Sequence, residues 1–229
     1  MDETRTAARM KSSWEGIPRG PRRTRNTLFW AALVPVAATV GGFLSQYPYG
    51  MLYVGVLVVL AAAGLGAGVA GSNWNRAGAA IIVGFGTLAL GVFAGSNLYE
   101  SYAKLLGERV DAVVVDAGER TNSKGDVRHV CHVVDSAGES AELGDIQNCH
   151  GDFAEGRRVV LFKDPLGGLE PWIEATDDRS LDPVGLGITG GAFVLVGGTM
   201  FSAGMRRRSQ QDRLEEHRRK HGPPWRSRP

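Results

Sequence analysis

The chain has 229 residues, 22% of them charged, and a net charge of +2. The placement of those charges excludes an evenly mixed soluble globule: residues 28–96 hold one, Arg76, and residues 183–205 hold none. The rest divides into a basic stretch at 1–27 (net +4), an acidic middle at 97–182 (net −9) and a basic stretch at 206–229 (net +6).

Residues 1–27, with Pro18, Pro21 and scattered arginines, read as a disordered basic tail. Three charge-poor runs follow, at about 28–45, 51–70 and 78–96, and a fourth at 183–205. Crossing a hydrocarbon core of about 30 Å takes roughly 20 helical residues, so each run is a candidate transmembrane helix. The first contains Pro35. Aromatic residues stand where a membrane interface would hold them: Phe29 and Trp30 open the first run, Tyr47, Tyr49 and Tyr53 surround the first turn, and Trp74 sits in the second. A cleaved leader is the weaker reading of the first run, because 27 residues precede it and no small-residue cleavage site follows it.

Twenty of the 32 glycines fall within residues 28–96 and 183–205. Between membrane helices a missing side chain lets backbones approach, so Gly64/Gly68, Ala62/Gly66/Ala70 and Gly187/Gly191 are expected to pack helices together or against another protein. The main polar groups of the spans are Thr39, Thr87, Thr189 and Thr199, whose hydroxyls can each bond a carbonyl one turn earlier. Ion pathways and coupled transport need ionisable groups at depth; here a passive pore or small-solute carrier is the only transport reading left.

From residue 97 the periodicity changes. Asn97–Leu106 continues the third helix or forms a short connector. Segments 109–116, 127–134 and 157–163 are rich in β-branched residues, with weaker strands at 140–143 and 169–174. Turn signals at 122–126, 135–138 and 164–168 separate them. A small antiparallel barrel or curled sheet is expected, too small for a sufficient core without a staple. Cys131 and Cys149 supply one if oxidised, closing a loop worth roughly 3 kcal/mol. The competing reading joins His129, Cys131, His132, Cys149 and His150 in a zinc or copper site, or in a redox sensor. Against it, His129 and Cys131 share one face of a strand while His132 takes the other. No nucleophile elbow, phosphate-binding glycine loop or metalloprotease motif occurs, and neither a catalytic residue nor a cofactor is assigned.

The stretch 206–229 begins as a short helical continuation and ends at Pro223-Pro224. Its charges attract anionic headgroups, and without a recognition module they do not read as nucleic-acid binding. Basic residues before the first span, after the second and after the fourth all fall on one side if every run crosses; the positive-inside rule makes that side cytoplasmic. Residues 97–182 then lie outside the plasma membrane.

The run Gly156-Arg157-Arg158-Val159-Val160-Leu161-Phe162-Lys163-Asp164-Pro165, followed by a glycine-rich span, resembles a family of uncharacterised bacterial membrane proteins common in actinobacteria. That family carries a small extracytoplasmic β domain, and its early strand and Asp-x-x-Gly turn correspond to 110–115 and 135–138. Phe162-Lys163 stands here where the family has Tyr, and the two cysteines are additional. The resemblance covers roughly residues 105–205 and implies architecture, with no activity to carry over. The sequence therefore predicts an α+β membrane protein with four transmembrane helices and an antiparallel β domain inserted between helices 3 and 4. Its expected role is binding or scaffolding in the envelope, with a membrane or envelope protein, or a second copy of itself, as partner.

Overall fold

A computed structural model describes residues 21–48, 50–121, 125, 127–176 and 179–206; the expectations for the tails, for Tyr49 and for all but one residue of the 122–126 turn lie outside them. Four helices form a bundle: α1 (Pro21–Leu44), α2 (Met51–Gly68), α3 (Ala77–Leu106) and α4 (Pro183–Met205). All four are long and apolar enough to cross a membrane. Their outer surfaces are apolar as well, with Leu57, Phe85, Val92 and Val194 each at least 67% exposed. An exposed apolar surface this extensive is not sustained in water.

Inside, small residues set the helix spacing. A Cβ on Gly42 would press into the Gly91 carbonyl, and one on Gly55 would stand 2.5 Å from the Gly41 carbonyl. Gly66 faces Val34 and Val83 side chains, and its neighbours Ala62 and Ala70 are buried, as the Ala62/Gly66/Ala70 spacing predicts. Gly64, Gly68, Gly187 and Gly191 do otherwise: all four are exposed, and nothing lies within 4 Å of where a Cβ would stand. They do not pack this chain's own helices. A span surrounded by apolar residues lacks the polar face that would orient it, so spacing alone could not say which glycines turn inward.

Pro35 lacks the amide that would bond the Ala31 carbonyl, and Gly197 of α4 approaches that same oxygen, 3.0 Å from its would-be Cβ. Thr39 donates to the Pro35 carbonyl (2.8 Å), one turn back as expected. Thr189 instead accepts a bond from Asn97 Nδ2 (2.9 Å), which also donates to the Gly185 carbonyl and ties α3 to α4. Thr87 is fully buried with no hydrogen-bond partner. α2 ends in a π turn, Val69–Asn73, which swings Trp74 inward against the buried cluster of Val34, Val83 and Met200. Trp74 is 2% exposed, a core residue and not an interfacial one.

The β domain follows α3 after one residue. Its strands are β1 (Glu108–Thr121), β2 (Val127–Asp135), β3 (Ser140–Gly144), β4 (Arg158–Lys163) and β5 (Trp172–Glu174), in the order β3-β2-β1-β4-β5, all neighbours antiparallel. The sheet is curled, with a bulge between Val114 and Asp116. Alternation sends Ala112, Val114, Cys131, Val133, Leu143, Val159, Leu161 and Ile173 into one core with Phe153. β1 is longer than its apolar stretch predicts, because Ala117–Thr121 still pairs with Val127–Cys131.

A second cluster joins sheet to bundle. Tyr99 and Ala103 of α3 pack on Val160, Phe162, Leu169 and Trp172, with Phe43, Tyr47 and Tyr102 around them. Tyr99 donates to the Glu170 carbonyl (2.7 Å), and Lys104, 6% exposed, bridges Glu100 (2.8 Å), Glu174 (2.9 Å) and the Ser180 carbonyl (3.1 Å). Tyr102 donates to Asp164 (2.6 Å), whose other contacts are the amides of Leu166, Gly168 and Leu169. One carboxylate thus shapes the turn after β4 and receives the helix, which gives the Asp164-Pro165 pair a physical role.

Candidate functional site

The cluster around Tyr99, Tyr102 and Lys104, a collar between α3 and the sheet, fixes one end of the β domain and leaves the other free. β1 runs 14 residues from the helix, roughly 45 Å of strand. β4 pairs with it only over Glu108–Val113, and the last main-chain contacts on that side are between Val114 and residues 156–157. From Val115 to Thr121, among the described residues, β1 has a partner strand on one side only, β2. Its other edge is an open ladder of main-chain donors and acceptors, the feature that pairs with added strands.

Two grooves flank this half of the hairpin, and His129 lines both. One, of about 340 Å³, lies between Ala117–Glu119 and the 149–155 loop; the other, of about 590 Å³, runs past Arg120, Arg128 and Ile146. Ile146 is 63% exposed and Val127 53%, amid charged neighbours that include the Arg120–Glu142 pair (3.1 Å). The first groove borders the open β1 edge, while the apolar patch with its charged neighbours lies across the hairpin, against β2 and the 144–147 segment.

The disulfide stands beneath the first groove. Cys131 on β2 is bonded to Cys149, 18 residues on, and both are buried. It ties the loop carrying His150 and Phe153 to the sheet, and Arg157 lies over the Phe153 ring. The five-residue metal set does not assemble. Both sulfurs are consumed, and the imidazoles part company: His129 faces Glu119 (3.9 Å), His132 faces Glu142 (3.9 Å) and His150 faces Asp152 (3.5 Å). Among the described residues no three His, Cys, Asp or Glu side chains form a metal-binding group. Strand alternation accounts for His132; the disulfide accounts for the rest.

The β2–β3 turn is held from within. The Asp135 carboxylate accepts from the Ala137 and Glu139 amides (2.8 Å each) and from Lys163, which also meets Glu139 (2.7 Å). The Lys163 bond, with the two amides, holds the Asp135 carboxyl below the usual carboxylate range, and the two carboxylates push the Lys163 ammonium above its ordinary value. Burial alone would raise Asp164, but the Tyr102 hydroxyl and three amides outweigh it and hold that carboxyl low.

Sequence reasoning missed the open edge, Lys104 and the Tyr99–Tyr102 contacts. Lys104 had a signal, a glutamate four residues before it on a helix leaving an apolar span. No family model, curated protein or solved structure matches the chain.

Proposed function

We propose that the chain is an integral plasma-membrane protein that spans the bilayer four times, keeps both basic stretches in the cytoplasm and holds the β domain outside as a docking module for an envelope protein. The observation that carries this reading is the edge of β1 over Val115–Thr121, without a second partner strand among the described residues, beside a disulfide and at the opposite end of β1 from the contacts that seat the domain on the bundle. A domain fixed at one end and open at the other fits presentation of a surface, and strand addition supplies affinity from the main chain with specificity from the flanking grooves. The resemblance to actinobacterial membrane proteins agrees with this arrangement.

The test places a photo-crosslinking residue at Ala117, on the open edge, and at Leu166, 83% exposed near the collar. Irradiated intact cells should yield one dominant adduct from position 117 and none from 166. No adduct, or the same one from both positions, would end the docking reading. An adduct with a second copy of the chain would identify the partner as itself. Phosphatase fused at about position 140 should be active outside the cell; an inactive fusion would reverse the sidedness.

A further inference from the structure

At the end of the bundle opposite the β domain, the first turns of α3 and the last turns of α4 enclose a cleft of about 730 Å³. Asn75, Arg76 and Arg206 stand at one end, its mouth, and the exposed side chains of Ile82, Val194 and Leu195 form an open apolar wall along the rest. Gly198 lies between them with nothing within 4 Å of its would-be Cβ, so the trough there stays clear. Arg76 is the sole charge in residues 28–96. Its Nε (3.2 Å) and Nη2 both donate to the Arg206 main-chain carbonyl, which fixes the guanidinium at the mouth and leaves further N–H donors for another acceptor. Among the described residues no carboxylate pairs with Arg76 or Arg206.

An unpaired guanidinium at the edge of hydrocarbon is costly, and a phosphodiester satisfies it with parallel N–H···O bonds. Cations above an apolar trough complement an amphiphile; free phosphate would leave the trough unused. We propose that this cleft seats one anionic phospholipid of the cytoplasmic leaflet, its phosphate against Arg76 and Arg206 and one acyl chain along Ile82, Val194 and Leu195. The inference rests on the membrane-spanning reading with both basic stretches cytoplasmic, and is independent of what the β domain binds.

The full chain is reconstituted into nanodiscs of phosphatidylcholine and phosphatidylglycerol, and lipid that survives detergent extraction is counted by native mass spectrometry. Wild type should retain about one phosphatidylglycerol. Arg76→Gln removes the charge at the mouth and should cut retention by about fivefold, the factor that one interfacial arginine supplies. Gly198→Leu fills the trough without changing charge and should do the same. A tail control, Arg218→Gln with Arg219→Gln, removes two charges and should leave retention unchanged. Retention intact in both cleft variants, or lost equally in the tail control, overturns the proposal. Loss in Arg76→Gln with retention in Gly198→Leu also overturns it, by showing a bare phosphate site with no chain-binding trough. A chain that does not span a bilayer would fail to enter the nanodisc at all, a result distinct from each of these.

Discussion

In the β domain Val114, Val133, Leu143 and Ile173 turn inward while charged side chains cover the outside; in the bundle Leu57, Phe85, Val92 and Val194 face outward, and glycine and alanine hold the inside. The two regions keep their interiors by different means. In the β domain the driving force is removal of apolar surface from water, supplemented by a covalent bond because so small a core is marginal. In the bundle, whose outer face is itself apolar, helices associate through close backbone approach and a few hydrogen bonds such as Asn97 to Gly185 and Thr189, the mode of association that suits helices long and apolar enough to cross a membrane.

The largest expected break in that contrast comes from the cysteines. Replacing Cys131 and Cys149 together by serine should cost the β domain about 3 kcal/mol and make the 149–157 loop sensitive to limited proteolysis. Helical content in detergent, read by circular dichroism, should stay unchanged. Loss of both signals together would show that the regions fold as one unit. Next comes a glycine pair of opposite type: Gly42→Leu should lower bundle stability by about 2 kcal/mol through overpacking, whereas Gly187→Leu should be near neutral in detergent melts. Equal effects would mean that Gly187 is covered after all, by a second copy.

The smallest effect is one of pH and should fall on the β domain alone. Asp135 has a lowered folded pKa, so its contribution is complete above about pH 4 and is lost as pH falls through the folded value. Lys163 has a raised folded pKa, so its contribution is complete below about pH 10 and is lost as pH rises through the folded value. Thermal melts should show a plateau between those limits; in Asp135→Asn the plateau should sit lower and its acid limb should flatten, because the group whose protonation produced it is gone. An unchanged acid limb would remove the Asp135–Lys163 pair from the account.

The four spans were legible because charge is absent from them, and a missing charge needs no knowledge of which face turns inward. Strand positions were legible for a related reason: β-branched runs between turn residues are local signals. What escaped depends on neighbours distant in sequence. Gly42 and Gly187 look alike in sequence, and only the position of α3 beside Gly42 distinguishes them. Trp74 reads as an interfacial aromatic until the π turn rotates it inward. Ala117–Thr121 lacks apolar alternation because that part of the hairpin has passed beyond the core, so its strand character comes from pairing alone.

α3 has a mechanical consequence. It runs 30 residues without a proline, about 45 Å of continuous rod, against a hydrocarbon thickness of about 30 Å. The surplus over a hydrocarbon thickness is about 15 Å of helix, and Gly107 alone separates it from β1. Lys104 and the tyrosines pack across that joint, so the sheet is seated on the end of a continuous rod and not hung from a loop.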